Sequence, residues 1–200
     1  MIKFSTVRNL GVALIGASAL ASCSNGDQFV GNWQASAPAD ITNEIVSATS
    51  ATSLVSIDFT DREQTAGGRV VLSSKYDIVA TSSDGMETFL TAAASVNGDW
   101  NYDVDDDDDL LLTFDYSTLY VVVNPQDISF RNAGEQQVDS LMQAAVATWK
   151  NEIERSFRNT MTRYAVVEDV EVAKDRNVMS LEISSPETKI RFIKTADLQH

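Results

Sequence analysis

Two residue types are almost missing from this 200-residue chain, which has one Cys and one His. A single Cys excludes an internal disulfide, and one Cys with one His excludes a Cys/His zinc site. The His is His200, the last residue of the sequence, so no internal imidazole is at hand for thiol catalysis or for a Ser-His-Asp triad. Positive charge is scarce as well, with 15 Lys and Arg against 29 Asp and Glu and a net charge of -14. Nucleic acid is excluded as a partner on that ground, because affinity for a phosphate backbone comes from cations that release condensed counterions. No apolar run reaches the roughly 20 residues that a spanning helix needs. Pro and Gly are few, 3 and 9, and they form no linker that would divide the chain into domains. The patterns of common enzymes are missing too. A Ser-x-x-Lys dyad ending at Lys75 would need Ser where Leu72 stands, and there is neither a Gly-x-Ser-x-Gly elbow nor a phosphate-cradling Gly loop. The sequence therefore predicts no enzyme, no cofactor and no metal site.

What is present begins with a leader. Lys3 and Arg8 give it a basic start, and Leu10 to Leu20 form an apolar run that ends in small residues. Immediately after it stands Leu20-Ala21-Ser22-Cys23, which resembles the lipobox of bacterial lipoprotein precursors: an aliphatic residue three places before the Cys, then two small residues. The resemblance implies that residues 1–22 are a signal peptide, that the Cys23 thiol takes a diacylglyceryl group, and that cleavage leaves Cys23 as an acylated amino terminus. The protein is then expected in the bacterial cell envelope, lipid-anchored. Ser24 is not an Asp retention signal, which resembles outer-membrane sorting. Each buried acyl methylene contributes about 0.8 kcal/mol, so two or three chains anchor a protein without any spanning helix. Cleavage removes Lys3 and Arg8 and no acid, leaving 13 basic against 29 acidic side chains and a net charge of -16. Residues 23–28 comprise the lipidated Cys and a polar tether, Ser24 to Gln28, that spans about 17 Å at most.

From residue 29 to residue 200 the chain reads as one β domain. Phe29, Gly31, Trp33 and Ala35 alternate with polar residues, as do Val55, Ile57 and Phe59. Val70, Leu72, Tyr76, Ile78 and Ala80 keep one phase, with Lys75 and Asp77 on the opposite face, as a strand with one core face and one wet face requires. Asp84-Gly85 is a hairpin signal leading into Glu87 to Val96, and Trp100, Tyr102 and Val104 alternate next. Leu110, Leu112 and Phe114 follow, then a β-branched run from Tyr120 to Val123 that Pro125 ends.

The period then changes. From Glu135 to Arg163, Val138, Leu141, Met142, Ala145, Val146, Trp149, Ile153 and Phe157 fall on one helical stripe. Acids lie early in this segment and Arg155, Arg158 and Arg163 late, as the helix dipole favours. Three further strands follow, near Val166 to Val172, Val178 to Ile183 and Lys189 to Lys194. The fold class predicted is mainly β: an antiparallel barrel or half-barrel of about eight to ten strands, with a long amphipathic helix, 135–163, inserted before the last strands and packed across one mouth or face.

Gly31-Asn32-Trp33 opens the first strand and resembles the Gly-x-Trp signature of lipocalins and related calycin-like lipoproteins. That resemblance implies a lipocalin-like barrel whose Trp packs across its closed end. The order of elements departs from lipocalins, whose long helix follows the barrel strands, and this departure puts an open ligand cup in doubt. Gly98-Asp99-Trp100 repeats the tripeptide in mid-chain, and core packing alone accounts for both tryptophans.

Six carboxylates in seven positions, Asp103 to Asp109, invite a calcium reading. An EF-hand loop starting at Asp103 would need Gly and Glu where Asp108 and Phe114 stand. The run reads instead as a solvated hairpin tip whose charge discourages edge pairing.

Two functions are compatible with these features. One is a binder of an apolar or amphipathic small molecule, with a modest cavity beside Glu87 to Val96 and Trp33, Tyr76, Ala93, Trp100 and Trp149 as candidate ligand contacts, since small side chains on that strand leave room. The other is a structural or interaction protein with a self-filled barrel that docks on envelope proteins or glycans.

Overall fold

The computed structural model describes residues 26–62, 67–103, 109–132, 138–184 and 187–195. The leader, Cys23, residues 104–108 of the acid run and residues 135–137 of the expected helix lie outside these. In chain order the described strands are β1 (Gly31–Ala35), β2 (Ala39–Asp40), β3 (Ser50–Asp61), β4 (Gly67–Thr81), β5 (Glu87–Asp103), β6 (Asp109–Phe114), β7 (Tyr120–Val122) and β8 (Ile128–Arg131). Helix α1 (Val138–Tyr164) follows, then β9 (Val166–Val172), β10 (Val178–Ser184) and β11 (Glu187–Lys194).

Eight of these strands form a closed antiparallel barrel in the order β1-β11-β10-β9-β6-β5-β4-β3, and β3 returns to β1 through Trp33 opposite Ile57. Closure removes the free edges that an open sheet would present. Period-two patterning decides which side of each strand faces inward. β3 buries Ala51, Ser53, Val55, Ile57 and Phe59, and β4 buries Val70, Leu72, Ser74, Tyr76 and Ile78, with Lys75 and Asp77 outside. β5 runs unbroken through the second Gly-x-Trp. At Gly98 a Cβ would come within 2.4 Å of the Thr113 carbonyl oxygen on β6, so this strand position accepts only Gly without a shift of backbone.

The long β5 serves two neighbours. Its second half pairs with β6, Trp100 opposite Leu112, whereas its first half pairs with β7 and β8, through Ala93 opposite Val122 and Leu90 opposite Ile128. Helix α1 lies beside β5, β7, β9 and β10. Trp149, Ile153, Phe157 and Met161, each four residues after the last, form its buried stripe together with Tyr164. Tyr164 meets Phe192 of β11 edge-on at 6.3 Å.

The two ends of the barrel are stoppered differently. At one end the Gly26–Phe29 turn drops Phe29 onto Tyr102 (4.9 Å between ring centroids), Trp100 (6.0 Å) and Phe59 (6.4 Å), in tilted and edge-on contacts. The Trp33 indole donates to the Phe29 carbonyl at 2.6 Å, tying the first strand to this plug. Gly31, at φ +124°, lets the Lys194 side chain pass where a Cβ would be 2.6 Å from it. The Lys194 ammonium then donates to the Val30 carbonyl at 2.8 Å and lies 5.3 Å from the centre of the Trp33 ring. At the other end stand helix α1 and the loop between β2 and β3, which buries Ile41 and Ile45.

Candidate functional site

The five candidate contact residues do not converge. Trp33 and Trp100 belong to the Phe29 end, where the Trp100 indole donates to the Thr60 carbonyl at 3.1 Å. Tyr76 and Trp149 are buried in the helix half of the core. Ala93 points the other way, onto the exposed outer face of β5. Cys23 lies outside the described residues.

The inward residues differ between the two halves of the barrel. Ile57, Phe59, Val70, Leu72, Val96 and Trp100 fill the half near Phe29, whereas the half that receives the helix intersperses the small Ala51, Ser53, Ser74, Ala92 and Ala94 among Tyr76, Ile78 and Leu90. Small wall residues and a bulky helix stripe are complementary, as close packing requires. Ile153 and Phe157 are fully buried there.

A polar seam runs through this half. The Ser156 hydroxyl, on the buried side of α1, donates to the Glu44 carboxylate at 2.7 Å, and the Arg163 guanidinium donates to its other oxygen at 3.1 Å. Arg155 donates to the Glu44 carbonyl at 3.3 Å, and Ser47 donates to Glu152 at 2.6 Å, so the β2–β3 loop is strapped to the helix at several points. Beneath the strap, the Tyr76 phenol faces the hydroxyls of Ser74 and Ser156 without a hydrogen bond of normal geometry. Burial pushes the Tyr76 phenol well above its usual pKa, and burial does the same at Tyr164, so both are neutral at any physiological pH. An unpartnered buried hydroxyl costs about 1 to 3 kcal/mol. Tyr76→Phe is therefore expected to leave the thermal midpoint unchanged or to raise it. A loss of stability in differential scanning calorimetry would show that the hydroxyl is bonded in solution.

Sequence patterning did not mark Glu44, Ser74 or Ser156, and it marked Arg163 only as a cation suited to the helix C-terminus. Ser156 and Thr160 do fall on the apolar stripe of the helix, and polar residues on a core-facing stripe were the available signal. The Ser156 partner Glu44 lies 112 residues away, beyond the reach of any local pattern.

Three of the open grooves on the barrel lie on the outer faces of its strands. One, of about 200 Å³, is floored by small residues of β3, β4 and β5, including Ser56, Ser73 and Ala93, and edged by Leu54, Lys75 and Tyr120. A second, of about 390 Å³, continues along the same face past Thr52, Asp77, Phe89 and Thr91. The small side chains of β5 thus leave open space on the outside of the barrel, while on the inside the helix stripe meets them.

No three His, Cys, Asp or Glu side chains among the described residues converge as metal ligands would. No described helix is long and apolar enough to cross a membrane. Mainly β, with a closed eight-stranded antiparallel barrel and one helix before its last strands, is the class the fold defines. Neither a protein-family model nor a curated protein matches the chain.

Proposed function

We propose that this chain is a lipid-anchored protein of the bacterial cell envelope, sorted to the outer membrane, whose barrel is a self-filled scaffold and whose outer surface docks on envelope proteins or glycans. The observation that carries this reading is the stoppering of the barrel from both ends, by Phe29 with its aromatic neighbours and by the Trp149-Ile153-Phe157-Met161 stripe. An eight-stranded barrel is just wide enough either to be filled by side chains or to hold one small ligand, and the burial of the helix stripe supports the first.

A second reading, a binder of an apolar or amphipathic small molecule, is favoured by the outer groove beside β5, where Ala93 and Tyr120 meet. One titration separates the two. With the folded, unacylated domain and a series of fatty acids, the scaffold reading expects flat tryptophan emission and a bare mass in native mass spectrometry. A saturable shift that Ala93→Leu weakens without unfolding the domain would overturn it in favour of the binder.

A further inference from the structure

Resting on the lipid-anchor reading, we propose that the barrel end holding the start of β1, the ends of β3 and β5 and the β9–β10 turn lies against the lipid headgroups. Its contact with anionic phosphates is the β9–β10 turn, and helix α1 is outermost.

Covalent reach is the first argument. The Phe29 amide donates to the Gly26 carbonyl at 3.0 Å and the Phe29 ring is fully buried, so Gly26 is already part of the folded domain. Only three peptide steps separate Gly26 from Cys23, and in any conformation they span at most about 11 Å. The tether is much shorter than its composition alone suggests, because the turn takes Gly26 to Phe29 into the fold.

Strand direction is the second. The registers Gly31 with Phe59, Gly68 with Trp100 and Tyr102 with Leu110 place the start of β1, the ends of β3 and β5 and the starts of β4 and β6 at one end. The Lys194 amide donates to the Asn177 carbonyl at 2.9 Å, which adds the β9–β10 turn to that end. Ser50 with Val79, Thr81 with Glu87 and Ser184 with Glu187 define the opposite end, on the helix side. The 12 residues of β3, at about 3.3 Å each and a strand tilt of about 40°, separate the two ends by roughly 30 Å.

Charge is the third. Lys174 and Arg176 are exposed at the β9–β10 turn, and Arg176 adopts the left-handed conformation at φ 55°. Asp175 between them is engaged within the turn, its carboxylate accepting from the Asn177 amide at 3.2 Å. Asp103, the last residue of β5, pairs with Asp109, the first of β6, nearly opposite β1 in the ring of strands, and the sequence between them is the acid run. An anionic bilayer repels these acids and attracts Lys174 and Arg176, which tips the domain toward the β9–β10 side.

The test uses the full lipidated protein on vesicles of phosphatidylethanolamine and phosphatidylglycerol, with headgroup-nitroxide lipid as quencher. Lipidation occupies Cys23, so a Cys introduced by Asn177→Cys or Asn159→Cys is the one free thiol for a fluorophore. The expected result is strong quenching at 177 and none above background at 159. Lys174→Glu with Arg176→Glu should reduce quenching at 177 on these vesicles and leave it unchanged on phosphatidylcholine alone. Equal or reversed quenching at the two sites overturns the orientation, and unchanged quenching in the charge-reversed protein overturns the phosphate contact. Protein that fails to float with the vesicles overturns the anchor reading and this orientation with it, whereas protein that floats with the wrong quenching pattern overturns the orientation alone.

Discussion

Phe157→Ala should destabilise the domain by about 3 to 5 kcal/mol, the usual loss when a buried aromatic is truncated to Ala in a packed core. Phe157 is fully buried at the centre of the helix stripe, between Ile153 and Met161. The barrel backbone resists collapse into the space left because each strand is hydrogen-bonded on both sides. With domain stabilities of about 5 to 15 kcal/mol, a loss of this size removes a large share of the total and lowers the midpoint sharply. Trp149→Ala should act in the same direction, since Trp149 is also buried. Lys150→Ala, on the exposed side of the same helix, is the control and should stay within about 0.5 kcal/mol. Thermal and urea unfolding of the three variants check this. A Phe157→Ala protein with the parent midpoint would mean that the helix stripe is a docking face and not part of the core.

Cys23→Ser should abolish membrane association. The acyl transfer that the lipobox resemblance implies needs a thiolate, and a Ser hydroxyl at the same place is neither acidic nor nucleophilic enough to replace it. With no described helix able to span a bilayer, the acyl chains are the anchor in this reading. The unmodified protein should enter the detergent-rich phase on detergent phase separation, and the variant should enter the aqueous phase or retain its leader. Equal partitioning of the two proteins would end the lipoprotein reading and leave the barrel as a domain of unassigned location.

Much of the fold was legible from residue order. Alternation in Val55, Ile57 and Phe59 and in Leu72, Tyr76 and Ile78 marked strands with one inward face, because successive side chains of a strand point to opposite sides. The stripe through Trp149, Ile153 and Phe157 marked the helix, whose described span is Val138–Tyr164. The candidate contacts were less legible. Ala93 was singled out because small residues on β5 leave room, but a strand with small residues on both faces does not say which of them face the axis. Register with β4 and β7 turns Ala92 and Ala94 inward and Ala93 outward. Trp33 and Trp100 repeat one tripeptide and do pack at one end, each tied by its indole to a backbone carbonyl.

What the sequence determined by itself is what depends on neighbours along the chain: strand and helix periods, the basic and apolar residues that precede Cys23, the excess of negative charge, and the absence of the residues that triads and zinc sites require. Tertiary structure alone decided where the helix comes to rest against the barrel. Whether an eight-stranded barrel is hollow depends on where a helix from another part of the chain comes to rest, and the contacts that hold α1, Glu44 to Ser156 and to Arg163, join residues more than 100 positions apart. Hydrophobic patterning says that Phe157 must be buried, but it is non-directional and cannot say against which wall. That choice shows only in the fold, where the helix lies beside β5, β7, β9 and β10.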